Sequence, residues 1–344
     1  MRGKGCGKRR AFGYLLPILM ISVLTGCVGQ FNISREQEES SAVDEGDLVV
    51  VGVSQVGSES VWRTANTVSI QEAFTSEKGY FLLFSNARQK QDNQIKAIRR
   101  FISRQVDYIV FSPITESGWD IVLQEAKDAE IPVILMDRQV DVEDDSLYTA
   151  WVGSDFHREG NNAGIWLEEY LVEQNRQDEQ IHIVVLQGTE GATAAIGRTE
   201  GFQEIADTHE NWIILEQVDA EYTTAKGREV MESLLIKYED IDVVVSQNDD
   251  MTFGALDAMN RRGISTGTEG DVILISFDAV KAALKLVEQG VINVDIECNP
   301  RQGELVEQII QALERGEEVD KTFYMEEQVF TPENVGEYLD DRDY

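Results

Sequence analysis

From Leu48 onward the chain alternates short, almost wholly apolar runs with longer amphipathic ones. The short runs are Leu48–Val53, Tyr80–Phe84, Tyr108–Phe111, Pro132–Met136, Ile181–Leu186, Ile241–Val245, Val272–Ile275 and Val291–Ile296. Most are rich in Val and Ile with little internal alternation, the pattern of strands covered on both faces. Between them Asn93–Arg104, Gly118–Asp128, Asn162–Gln174, Lys226–Lys237 and Met251–Arg262 read as helices. In the first of these, Ile95, Ile98, Phe101 and Ile102 form a single apolar stripe. Alternating strands and helices predict parallel sheets with helices on both faces. Eight or more strands in 344 residues predict an α/β fold of two doubly wound lobes, because one hydrophobic core rarely extends that far. A closed (β/α)8 barrel is the structural rival.

Polarity begins abruptly where the strands end. The runs stop at Ser54-Gln55, Ser85-Asn86, Ser112, Asp137-Arg138, Gln187, Gln247-Asn248-Asp249 and Ser276-Phe277-Asp278. Open parallel sheets bind ligands outside the carboxyl ends of their strands. Ser54, Ser85 and Ser112 read more simply as helix N-caps. Asp137 and Arg138 combine an acceptor with a planar fork of donors at one strand end.

The N-terminus changes the picture. Arg2, Lys4, Lys8, Arg9 and Arg10 precede an uncharged stretch, Ala11 to Val23, and then Leu24-Thr25-Gly26-Cys27. That order describes a secretory signal peptide over 1–26. The stretch is short of the ~20 apolar residues that cross a bilayer. Leu24 to Cys27 resembles the bacterial lipobox, which implies cleavage before Cys27 and acyl chains on it. Residues 27–47 then form an acidic tether, with six acids between Val28 and Asp47.

Charge excludes whole classes of partner. The formal net charge is −33, and removal of the five basic residues in 1–26 takes it to about −38. A nucleic-acid-binding surface needs the opposite sign, as does a basic face on anionic lipid. Three Cys and three His are too few and too scattered for a structural zinc site or a disulfide scaffold. With Cys6 removed and Cys27 acylated, Cys298 stands alone, a small buried residue. No P-loop, dinucleotide fingerprint or nucleophile elbow occurs, so neither ATP hydrolysis nor a cofactor is expected of this chain.

The strand-end loops carry a resemblance. Gly52-Val53-Ser54-Gln55-Val56-Gly57-Ser58-Glu59-Ser60 followed by Trp62-Arg63 is similar to the first loop of sugar-binding receptors of bacterial ABC transporters. Gln89 to Gln94, Ile131-Pro132-Val133 with Asp137-Arg138, and Leu186-Gln187-Gly188 with Arg198 and Gly201-Phe202 continue the match. Gln247 to Met251 and Ser276-Phe277-Asp278 complete it. The match covers about Leu48 to Thr331 and lies within the ribose/galactose type, nearest its galactofuranose-binding members.

The resemblance implies a type 1 periplasmic-binding-protein fold whose lobes, joined by three crossovers, close on a monosaccharide. The first lobe would comprise 48–153 plus about 299–318. The second would comprise 154–298 plus about 319–331, leaving 332–344 as a tail. The implied contacts are Trp62, Arg63, Asp137 and Arg138 on the first lobe and Arg198, Tyr222, Asn248 and Asp278 on the second. Ser58, Glu59 and Glu297 are further candidates. Glu297 stands near a position where ribose-type receptors carry an amide. Trp62 and Tyr222 would stack on the sugar, or serve only as core aromatics; Asn248 and Asp278 would contact it, or serve only as helix N-caps.

The implied partners are an ABC permease with its ATPase subunit and, through the lipid, the outer face of the cell membrane. A monomer without metal is expected. A sensor delivering the sugar signal to a histidine kinase or chemoreceptor would share this pocket. A glycoside hydrolase using Asp137 and Asp278 is the enzymatic alternative, opposed by Arg138, which favours an ionised Asp137.

Overall fold

The computed structural model describes residues 48–344. The segment expected to be a signal peptide, Cys27 and the expected tether lie outside the described residues. The chain first builds β1 (Val49–Gln55), α1 (Val61–Ala73), β2 (Tyr80–Asn86), α2 (Gln91–Ser103), β3 (Tyr108–Phe111), α3 (Asp120–Asp128), β4 (Val133–Met136) and β5 (Ala150–Gly153). It then passes to α4 (Phe156–Glu173), β6 (Ile181–Gln187), α5 (Thr193–Ala206), β7 (Trp212–Asp219), α6 (Thr224–Lys237), β8 (Val243–Ser246), α7 (Asp249–Arg261), β9 (Ile273–Asp278), α8 (Lys281–Glu288) and β10 (Val294–Glu297). It closes with α9 (Gly303–Glu314), β11 (Thr322–Tyr324) and β12 (Val329–Phe330).

Two open six-stranded sheets result, ordered β11-β5-β4-β3-β1-β2 and β12-β10-β9-β8-β6-β7. All pairs are parallel except β10 with β12. Two separate sheets rule out the closed barrel and give the doubly wound, two-lobed type 1 architecture. Each sheet is buried on both faces, which is why its strands read as continuous apolar runs. In the first lobe Val51, Val110 and Ile134 pack under α1 and α9 with Ile70 and Ile309. On the opposite face Ile109, Phe111 and Leu135 meet Ile98 of α2 and Leu123 of α3. The second lobe repeats the plan, with Val244 and Leu274 against Met231, Met259 and Leu284, and Ile275 and Phe277 against Leu167 and Phe202.

The chain crosses between sheets after Gly153, after Glu297 and after Tyr324. The last crossing corrects the expectation of a crossover near Val319. Thr322–Tyr324 pairs in parallel with Trp151–Gly153, and Val319 and Phe323 pack on the first core. The stretch 319–324 therefore belongs to the first lobe. The final residues fold back onto the second lobe: Val335 is buried there and Tyr338 packs edge-on against Phe330 at 5.1 Å.

Candidate functional site

The carboxyl ends of both sheets face one cleft. Its lining comprises Glu59, Ser60, Trp62, Arg63, Asp137 and Arg138 from the first lobe and Phe156, Ala194, Arg198, Tyr222, Asn248, Asp278 and Cys298 from the second lobe and the second crossover. The eight principal residues named from sequence, and Glu59, are thus brought together. The side chains leave only about 30 Å3 of open space, far below the roughly 300 Å3 at the lower end of ligand pockets. The cleft is shut, and a guest enters only if the lobes part. A groove of about 620 Å3 between α1, α9 and Tyr344 is larger, but no strand ends converge on it.

Local structure explains each position. Ser60 caps α1, its hydroxyl accepting from the Arg63 amide at 3.0 Å, so Trp62 and Arg63 occupy the first helical turn at the cleft wall. The Trp62 indole donates to the Cys298 carbonyl at 2.5 Å, linking α1 to the second crossover. Arg63 lies 2.6 Å from Asp137 and 3.0 Å from Glu59, with all three carboxylate and guanidinium side chains buried. Those anions raise its pKa against the opposing pull of burial. Asp137 also accepts from Ser112 at 2.9 Å, and its backbone is left-handed at φ 63°, a conformation that turns the chain sharply off β4.

Arg138 donates to the Ile114 carbonyl at 2.8 Å and lies 5.4 Å from the Tyr222 ring centre. Burial first, and the neighbouring Arg63 second, lower its pKa. Its Nε and the Tyr222 hydroxyl are both buried without a hydrogen-bond partner. An orphaned donor is costly, by about 1–3 kcal/mol each, and two facing one cleft mark it as a place where polar groups are met by a guest. Tyr222 is held by a close approach: a Cβ on Gly188 would lie 1.8 Å from its ring. Gly188→Ala is expected to displace Tyr222 and lower ligand affinity at least several-fold, checked by titration calorimetry alongside the melting temperature.

On the second lobe Arg198 donates through Nε to Glu159 at 2.6 Å and through Nη1 to the Gln247 carbonyl. Its Nη2 is 3.6 Å from Asp278, and the Phe277 ring lies 5.0 Å beneath it. Asp278, pushed well up by burial, sits at φ 107° and does not cap α8, whose N-cap is Val280. Asn248 does cap its helix, accepting from Met251 at 2.9 Å while still lining the cleft. Its position in the lining leaves the cap role read from sequence intact.

Two candidates lie elsewhere. Ser58 is exposed and accepts from Asn86 at 3.1 Å, on the outer side of the loop. Glu297 points away from the cleft, to Arg342 at 2.6 Å and the Gln328 amide at 3.0 Å. Its neighbour Cys298 faces the cleft instead, because successive residues of an extended chain alternate sides. Phe156, Ala194 and Glu159 were missed. Phe156 directly follows a sequence-visible N-cap, Asp155, whereas Glu159 gave no signal.

The guanidinium groups of Arg63 and Arg198 are already engaged by carboxyls, Asp137 and Glu59 for the first and Glu159 for the second. A lining so paired suits a neutral, hydroxyl-rich guest, with the Trp62, Phe156 and Tyr222 rings for its C–H faces. Among the described residues, two groupings offer mixed ligand atoms, Glu159–Cys298–Glu327 and His182–Asp240–Asp242. The first is engaged with Arg198, Ser154 and the Asn299 amide, and Asp242 of the second with Arg176.

Two hinged α/β lobes with a polar, aromatic-walled cleft define a ligand-capturing protein. Residues 51–318 match the family model described as "Periplasmic binding protein domain", and the chain belongs to that family. It is 41% identical over 256 residues to the galactofuranose-binding protein YtfQ of Escherichia coli K12, covering 73% of this chain and 78% of that one. A crystal structure from Mycobacterium smegmatis in complex with β-D-fucofuranose is 39% identical, with a TM-score of 0.81 over 86% of this chain and 95% of that one. The periplasmic component of the arabinose ABC transporter of Shewanella sp. ANA-3, bound to α- and β-L-arabinofuranose, is 38% identical, with a TM-score of 0.79 over 85% and 95%.

Proposed function

We propose that this protein binds one monosaccharide in furanose form between its lobes, without chemical conversion, and delivers it to an ABC sugar permease. The observation that carries the reading is the cleft itself. Acceptors and planar donor forks from both lobes converge there on two orphaned polar atoms beside three aromatic rings. The furanose form rests on relatives named for galactofuranose, fucofuranose and arabinofuranose. A sugar touching both lobes binds the closed form better than the open one, and that difference drives closure. Calorimetric titration with galactose, arabinose, ribose, glucose and a furanose-enriched galactose preparation tests the reading, followed by crystallography for the ring form. Tight binding of an amino acid with no sugar bound overturns it. Release of sugar from galactosides on incubation would instead establish the hydrolase reading.

The lipid anchor is a second part of the proposal. Cys27→Ala is expected to leave the protein as an uncleaved precursor or to release it from the membrane fraction, checked by detergent partitioning. A mature mutant that still partitions into detergent removes Cys27 as the anchor. Stable attachment needs more than one acyl chain, so full modification matters.

A further inference from the structure

Glu159 has no assigned part in the cleft, yet it is 2% exposed in the middle of the first turns of α4 and bonded to a ligand-facing arginine. A buried carboxylate needs a strong reason to be there, because burial disfavours its charge. The reason lies in how α4 and α5 meet. A Cβ on Gly160 would lie 2.4 Å from the Arg198 carbonyl oxygen, so only glycine lets the two helices approach this closely. That approach sets Glu159 directly behind Arg198, where its Oε2 accepts from Nε at 2.6 Å. With Nε held by Glu159, Nη1 by the Gln247 carbonyl and the ring of Phe277 beneath, the fork has one orientation. On its other side Glu159 meets Cys298 of the second crossover and Glu327 of the third, the polar atoms of all three lying within 4.8 Å of one another. Glu327 in turn accepts from Ser154 of the first crossover and from the Asn299 amide.

We propose that Glu159 is the positioning residue for Arg198, fixing the guanidinium against the bound ligand from a cluster that also touches all three interlobe crossovers. The proposal deepens the sugar-binding reading and rests on it for its affinity arm alone. Glu159 does not touch the guest; it acts through the arginine. Its own carboxyl is pushed up to about 7, chiefly by burial, and the Arg198 charge pulls it back down.

The test is a double-substitution cycle with D-galactose as the probe, in one equilibrated solution for every variant. Glu159→Gln keeps the shape but loses the charge, and is expected to weaken binding about tenfold or more. Glu159→Asp should recover part of that loss. In the Arg198→Ala background, Glu159→Gln should change affinity no further, because the two act as one unit. Additive losses, or a Glu159→Gln protein that binds like wild type, overturn the proposal. The Arg198 Nε–H signal in nitrogen-15 NMR gives a readout independent of sugar. It should be protected from exchange in wild type and lost in Glu159→Ala, which leaves no acceptor behind Nε. If wild type ignores D-galactose, the sugar reading fails for that probe while the NMR arm still decides the positioning role. Persistence of the protected signal in Glu159→Ala overturns it.

Discussion

Arg198→Ala is expected to weaken monosaccharide binding by about 10- to 150-fold, and to leave any remaining complex more open. The substitution removes charge-assisted hydrogen bonds, each contributing about 1.5–3 kcal/mol. It also takes away the one guanidinium that, among the described residues, pairs with Glu159 and Asp278, the two buried carboxyls that face it. All the partners of Arg198 lie on the second lobe. Its loss therefore leaves the first-lobe contacts of Trp62, Arg63, Asp137 and Arg138 in place while removing a grip made on closure. Small-angle scattering with and without saturating sugar reads the outcome. Wild type should contract on binding, and Arg198→Ala should contract less. An unchanged radius of gyration in wild type sinks the hinge mechanism, and normal binding by Arg198→Ala removes that residue from the site.

The folded protein should be most stable in mild acid and lose stability as pH rises toward 9. Several buried carboxyls hold their protons more tightly folded than unfolded. Burial raises Glu159 to about 7 and Glu327 to about 9, and pushes Asp278 and the neighbouring pair Asp249 and Asp295 up. The unfolded chain releases those protons near pH 4. Between pH 4 and the folded values the native state therefore binds more protons, and stability falls as pH rises. Each group protonated only in the folded state contributes a slope of about 1.4 kcal/mol per pH unit. Thermal unfolding at intervals from pH 5 to pH 9 should show Tm falling throughout. Asp295→Asn should flatten part of the slope. Asp295 accepts from the Ala279 amide at 3.1 Å and shares its buried surroundings with Asp249, which accepts from Ser276 and the Val280 amide. A Tm that is flat or rises over this range contradicts the assignment.

The sheets were legible because their central strands are covered on both faces. Runs such as Tyr108–Phe111 and Ile181–Leu186 leave no other sensible reading. The helix α1 was harder to read, because its inward face is functional rather than apolar. Its buried residues include Arg63 and Asn66, and Asn66 donates to the Pro300 carbonyl at 3.0 Å. The helix α5 hides for a related reason, burying small residues such as Ala194, Ala195 and Gly201 where α4 presses close. The edge strand β11 is three residues long with both ends exposed, so nothing in its sequence announced where the third crossover falls. At the site, loop motifs carried Trp62, Asp137, Arg138, Arg198, Asn248 and Asp278. They could not carry Glu159, since a lone carboxylate in the first turn of a helix normally faces water. The choice between Glu297 and Cys298 needed a strand register that sequence does not fix.

The interleaving of the lobes has a consequence for how the molecule is made. The first lobe's core contains Val306, Ile309 and Ile310 of α9, and its sheet ends on Thr322–Tyr324, all synthesised after the whole of β6 to β10. The second lobe in turn waits for Phe330 and Val335. Neither core can be completed until almost the last residue has left the ribosome, and loops of this length close slowly. A chain so arranged should complete its two lobes together rather than one after the other, because each core awaits a segment that follows most of the other lobe's sheet.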